Sequence, residues 1–210
     1  MEKPDYLKIP ICPECNKNKA LWDIKLETFI ICEDCQKTIL HKPVIESYVP
    51  LRYKNASIYD FPKTLIKQIQ KDSDNFTKNI VLYGTCGKGK TYLLTAIINY
   101  LQKPTLFYTY CDLMIKIQDS INNGTYIDII DKAKTINYLI LDDIYADKKT
   151  EAKMAMVFQI INHRYNENLP TFVTFNGELK DLEDTDERVA RRLLEDNAVF
   201  KLSKNYKYLK

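Results

Sequence analysis

The stretch Gly84-Thr-Cys-Gly-Lys-Gly-Lys-Thr91 limits what this chain can fold into more than any other feature. It fits G-x-x-x-x-G-K-[ST] in full. An apolar run, Ile80–Tyr83, precedes it, and a segment with helical apolar spacing, Thr91–Leu101, follows. A strand, a glycine loop and a helix in that order form a phosphate cradle, because glycines let backbone N–H groups turn inward at a helix N-terminus. Lys90 would reach the β- and γ-phosphates, and the Thr91 hydroxyl would sit on Mg²⁺. The candidate nucleotide-binding residues are therefore Gly84, Thr85, Cys86, Gly87, Lys88, Gly89, Lys90 and Thr91, with Cys86 read as a tolerated small residue.

Such a cradle belongs to alternating strand and helix. From Val49 onward, apolar runs at Ile80–Tyr83, Thr105–Tyr110, Tyr138–Leu141, Thr171–Phe175 and Val199–Leu202 read as buried parallel strands. Helical spacing appears at Thr91–Leu101, Asp112–Asn122, Glu151–Asn166 and Asp186–Leu194. The pattern predicts a doubly wound α/β domain over residues 46–210. Residues 72–78, DSDNFTK, read as a surface loop.

A phosphate cradle needs a carboxylate at the end of another strand to hold Mg²⁺. The sequence NYLILDDI supplies two: Asp142 as the metal-side candidate, and Asp143 where a carboxylate could polarise an attacking water. The buried strand PTFVTFN ends in Asn176, where a polar side chain can touch the γ-phosphate or its water. Arg188, Arg191 and Arg192 cluster on a short helix and by themselves read as a solvated basic face.

The N-terminal segment has a different chemistry. Cys12/Cys15 and Cys32/Cys35 form two C-x-x-C turns sixteen residues apart, with β-hairpin alternation between them. Two such turns complete a tetrahedral S4 site for structural Zn²⁺, and four thiolates leave no position for a catalytic water. About forty residues make too small a core without metal. Residues 1–45 are thus expected to be a zinc-ribbon domain that binds a partner.

The formal charge of +3 permits nucleic-acid contact without demanding it, and 45% hydrophobic with 28% charged residues describes a globular chain. No apolar run nears the roughly 20 residues that cross a bilayer, and the first ten residues lack a secretion-signal core. The expectation is a cytoplasmic protein with no membrane partner.

These pieces, in this order, resemble the DnaC/DnaI-type helicase loaders of the AAA+ class and their relatives, the IstB-type transposition helpers. The resemblance rests on VPLRYKNASIYDF ahead of the P-loop, on LILDDI, and on FQIINHRYNENLPTFVTFN. It implies an AAA+ P-loop ATPase core, a parallel sheet between helices with no helical lid. It makes Asn176 a sensor-1 candidate. RVARRL lines up with the family's Arg-x-x-x-Arg-Leu element, so the resemblance makes Arg192 an arginine finger for a neighbouring subunit, with Arg191 as an out-of-register alternative. The catalytic set it implies is Lys90, Asp142, Asp143, Asn176 and Arg192. Lys207 would stand for the family's second sensor arginine, and Tyr145 stands where the family has glycine.

The implied function is an ATP-dependent loader, compact enough for a phage or other mobile element. It would bind a replicative DNA helicase and single-stranded DNA as a homo-oligomer or helicase-bound assembly, with weak, assembly-dependent ATP hydrolysis. Tyr108 and Tyr110 could stack on bases or pack in the core. Two other readings stay open: a transposition helper assembling on duplex DNA, and a zinc- and ATP-switched binding module with negligible turnover.

Overall fold

The computed structural model describes residues 21–23, 28–30, 50–101, 103–121, 124–147 and 149–203. The chain divides into two compact units, Met1–Val44 and Ile45–Lys210. In the first, β1 (Leu21–Asp23) pairs antiparallel with β2 (Thr28–Ile30), in register Trp22↔Phe29, where the sequence alternation predicts a hairpin. Cys12, Cys15, Cys32 and Cys35 lie outside the described residues, as does Lys207.

The second unit is built on five parallel strands: β3 (Ile80–Gly84), β4 (Thr105–Thr109), β5 (Tyr138–Asp142), β6 (Thr171–Asn176) and β7 (Ala198–Lys201). Their order is β4-β5-β6-β3-β7. Helices α1 (Lys63–Asp72), α2 (Lys90–Leu101), α3 (Tyr110–Ile121), α4 (Tyr126–Thr135), α5 (Glu151–Asn166), α6 (Leu179–Thr185) and α7 (Glu187–Leu194) complete the alternation. Period-two side-chain alternation divides the core. Ile80, Leu82, Phe107, Ile140 and Phe172 pack with α1 and α2, while Val81, Leu139, Leu141 and Val173 pack with α3, α5 and α7. The expected α/β class and its five parallel strands are present.

Several boundaries differ from expectation for local reasons. The strand expected to reach Tyr110 stops at Thr109, whose hydroxyl accepts from the Asp112 N–H (3.0 Å) and donates to the Asp112 carboxylate (2.7 Å). That caps α3 and makes Tyr110 its first residue. Tyr110 is fully buried and packs on Tyr145, so it is a core residue rather than a base-stacking platform. Tyr108 is half-buried beneath Lys116, whose ammonium lies 5.3 Å from the ring centre. Helices α1, α4 and α6 escape the sequence pattern because each buries only one or two side chains: Ile66 and Ile69, Ile130 and Ala133, and Leu182. Residues 72–78 form a turn in which Asp74, Asn75 and Phe76 all take positive φ, and Phe76 is tucked into the core.

Candidate functional site

Parallel pairing brings the C-terminal ends of β3, β5 and β6 together, and the site forms there. The register Gly84↔Asn176 sets the end of β6 beside the first loop glycine. The register Leu141↔Val173 sets Asp142 beside Thr174. Gly84, Gly87 and Gly89 have φ of 123°, 77° and 91°, values that side-chain-bearing residues rarely adopt. A Cβ on Gly84 would also stand 2.9 Å from the Leu202 carbonyl oxygen, so the loop needs glycine there twice over.

Lys90, the first residue of α2, folds its side chain back across this loop. Its ammonium donates to the carbonyls of Gly84 (3.0 Å) and Thr85 (2.9 Å) and to Asn176 Oδ1 (2.6 Å). Burial lowers its pKa, and the nearby Asp143, Cys86 and Asp142 oppose that shift. A buried ammonium whose hydrogen-bond partners are neutral oxygens fits an arriving phosphate.

The two carboxylates take different positions. Asp142 is buried, and the Thr91 hydroxyl donates to both its oxygens, at 2.9 and 3.0 Å. Burial pushes its pKa up to about 6; hydrogen bonds from Thr174 and Thr91 and the charge of Lys90 work against the rise, and Asp143 adds to it. Asp143 sits just past the strand in a left-handed turn, φ 52°, where its carboxylate accepts from Asn176 Nδ2 at 2.7 Å. Asn176 thus links Lys90 to Asp143. The structure brings Lys90, Thr91, Asp142, Asp143 and Asn176 into one cluster from three separate elements.

Arg192 is placed elsewhere. Its guanidinium donates to Asn162 Oδ1 and the Arg188 carbonyl, both at 2.8 Å, and covers the Phe158 ring at 4.8 Å. Its own carbonyl accepts from Asn79, beside the N-terminal end of β3, so Arg192 lies toward the opposite end of the sheet from the glycine loop. Arg188 stands one turn nearer the start of α7, exposed, with its Nε 3.5 Å from Asp186. Arg191 is exposed.

Three side chains have partners that the sequence does not show. Thr174 is fully buried, and its hydroxyl donates to Asp142 Oδ1 at 2.7 Å. The signal was a hydroxyl two residues before Asn176 in a mostly apolar strand, but its partner depends on strand order. Tyr145 adopts φ 61° and is buried, and its hydroxyl donates to Asp186 Oδ2 at 3.3 Å. It takes a glycine-like conformation while tying the turn after β5 to the N-cap of α7. Arg164 is buried with its guanidinium on the carbonyls of Ala133, Lys134, Ile136, Asn137 and Pro170 and on the Thr171 hydroxyl. It staples the entries to β5 and β6. A cleft of about 520 Å³ opens at that same end of the sheet, beside Asn79, Arg164 and Asn197. Those three side chains already bond to neighbouring protein groups, and the cleft has no share in the glycine-loop cluster.

A family model described as IstB-like ATP binding protein matches residues 58–196, which include every member of this cluster. The chain belongs to that family. The IstB-like domain is 30% identical over 103 residues to the replicative helicase loader DnaI of Bacillus subtilis, covering 47% of this chain and 33% of DnaI. It is 26% identical over 136 residues to the chromosomal replication initiator protein DnaA of Helicobacter hepaticus, covering 63% of this chain and 30% of DnaA. The chain therefore spans about a third of the length of these curated relatives. Among solved structures, DnaI superposes with a TM-score of 0.64 at 26% identity over 75% of this chain and 96% of that one. The DnaC helicase loader shares the fold, with a TM-score of 0.65 at 22% identity over 73% of this chain and 99% of that one. These are AAA+ P-loop ATPase folds, and family membership implies ATP binding.

The residues present fit MgATP. The positive φ values of the loop glycines would let its N–H groups turn toward a phosphate, Lys90 supplies a buried cation, and Thr91 with Asp142 the hard oxygen donors that Mg²⁺ prefers. When bound, Mg²⁺ would neutralise phosphate charge. Among the described residues no helix is long and apolar enough to cross a membrane.

Proposed function

We propose that the chain is an ATP-dependent helicase loader, which holds a replicative DNA helicase and single-stranded DNA during replication initiation. The observation that carries this reading is the joined cluster Lys90–Asn176–Asp143 and Thr91–Asp142 on a fold that matches DnaI at 26% identity. Lys90 would bind phosphate, Thr91 and Asp142 would hold Mg²⁺ to neutralise phosphate charge, and Asp143 with Asn176 would orient the attacking water. Arg192 acts in trans on a neighbouring copy, and for that it exchanges its bonds to Asn162 and the Arg188 carbonyl for contact with the transferring phosphoryl group. Hydrolysis is accordingly weak until molecules assemble. Residues 1–45 form a zinc ribbon on Cys12, Cys15, Cys32 and Cys35 and take the helicase as partner.

The test is co-purification of the full chain with the hexameric replicative helicase of its host, with and without ATP. A stable complex that is lost when residues 1–45 are removed, while ATP binding persists, is the expected result. A chain that binds no host helicase, and instead forms ATP-dependent filaments on duplex DNA, would overturn it. Asp143→Asn should abolish turnover while leaving ATP binding in place.

A further inference from the structure

We infer that Thr174 is a positioning residue for the cation site, holding the Asp142 carboxylate in place while fixing the turn that carries Asp143. The inference rests on the MgATP reading of the cluster and names a residue that the nucleotide motifs do not contain. Thr174 lies on β6, is 0% exposed, and faces Asp142 because Val173 pairs with Leu141 one residue earlier. A threonine hydroxyl offers one hydrogen and two lone pairs. Here the hydrogen goes to Asp142 Oδ1 at 2.7 Å, and a lone pair takes the Asp143 N–H, also at 2.7 Å. The Thr174 carbonyl accepts from the Ile144 N–H at 3.0 Å. One residue of β6 thus grips three successive residues at the end of β5.

The grip has two consequences. Asp142 lies between two hydroxyls, Thr91 from α2 and Thr174 from β6, so its carboxylate has little freedom to rotate. Asp143 is non-glycine at φ 52°, a conformation that needs outside support, and the bond from its N–H to Thr174 supplies it. The Asp143 carboxylate is then within reach of Asn176, on the same strand and same face as Thr174. Groups that orient a metal-side carboxylate commonly change metal affinity by about 10–100-fold when removed. Valine at 174 keeps the β-branched shape and the strand propensity but can neither donate nor accept.

The experiment titrates Mg²⁺ against a fluorescent ATP analogue on the full chain. It is paired with Mn²⁺ occupancy read by electron paramagnetic resonance in the presence of a non-hydrolysable analogue. Thr174→Val should raise the half-saturating Mg²⁺ and lower Mn²⁺ affinity by about 10–100-fold, with Mg²⁺-free nucleotide binding unchanged. Thr174→Ala, a second variant without the hydroxyl, should do the same. Thr174→Ser, which keeps the hydroxyl, should stay within about threefold of the wild type. Unchanged metal dependence in the valine and alanine variants would overturn the inference, as would a serine variant as weak as they are. A wild-type chain that binds no nucleotide overturns the MgATP reading itself, which separates the two failures.

Discussion

Replacing Asp142 with asparagine should make the nucleotide-free protein more stable, although it damages the site. Burial lifts this carboxyl from 3.8 to about 6. At 1.36 kcal/mol per pH unit, keeping it ionised in the folded state at pH 7.5 costs about 3 kcal/mol. The folded state binds this proton more tightly than the unfolded chain does. The cost is therefore absent well below pH 4, where both states carry the proton. It grows as the pH rises toward 6 and is constant above that. Asparagine keeps an oxygen that can accept from Thr91 and Thr174 but carries no charge. Urea unfolding in EDTA without nucleotide should show Asp142→Asn more stable by up to about 3 kcal/mol at pH 7.5. The gap should shrink to about 1 kcal/mol at pH 4.5. In thermal melts at pH 7.5 the gain corresponds to about 6–12 °C for a domain of this size. Adding MgATP should reverse the order, because only the wild type holds the cation with a carboxylate. A variant no more stable than wild type at pH 7.5, or a gap that does not change with pH, would show that the carboxylate is not held at a cost.

Three further outcomes follow from other contacts. Arg164→Met should destabilise the domain by about 3–5 kcal/mol in urea unfolding, because five carbonyls lose the buried guanidinium that donates to them. Tyr145→Gly should relieve about 1 kcal/mol of left-handed strain but lose a buried ring and its bond to Asp186, for a net loss of about 2–4 kcal/mol; a melting curve as stable as wild type would contradict this. Cys32→Ser should release the zinc expected on the four N-terminal cysteines, measured by atomic absorption. It should also weaken helicase capture while leaving ATP affinity within about twofold.

How much of the site was legible in the sequence depends on how far each interaction reaches along the chain. The glycine loop, Lys90 and Thr91 lie within eight residues, so their spacing alone implies a phosphate cradle. Asp142, Asp143 and Asn176 were readable as polar residues ending apolar strands, and the structure brings all three to Lys90 and Thr91. The alternation of apolar runs announced the five strands, because a strand buried on both faces must be apolar throughout. Helices α1, α4 and α6 were not legible, since so few of their side chains reach the core.

By itself, then, the sequence determined the α/β class, the phosphate loop and the carboxylates that accompany it, all of them local patterns set by backbone geometry and burial. Tertiary structure alone decided what each side chain meets. Strand order β5-β6-β3 places Thr174 against Asp142 and Asn176 between Lys90 and Asp143. The path of α7 carries Arg192 onto α5 and away from its own glycine loop. Those pairings join residues 30 to 86 positions apart, and hydrogen bonds of that span exist only once the sheet has closed.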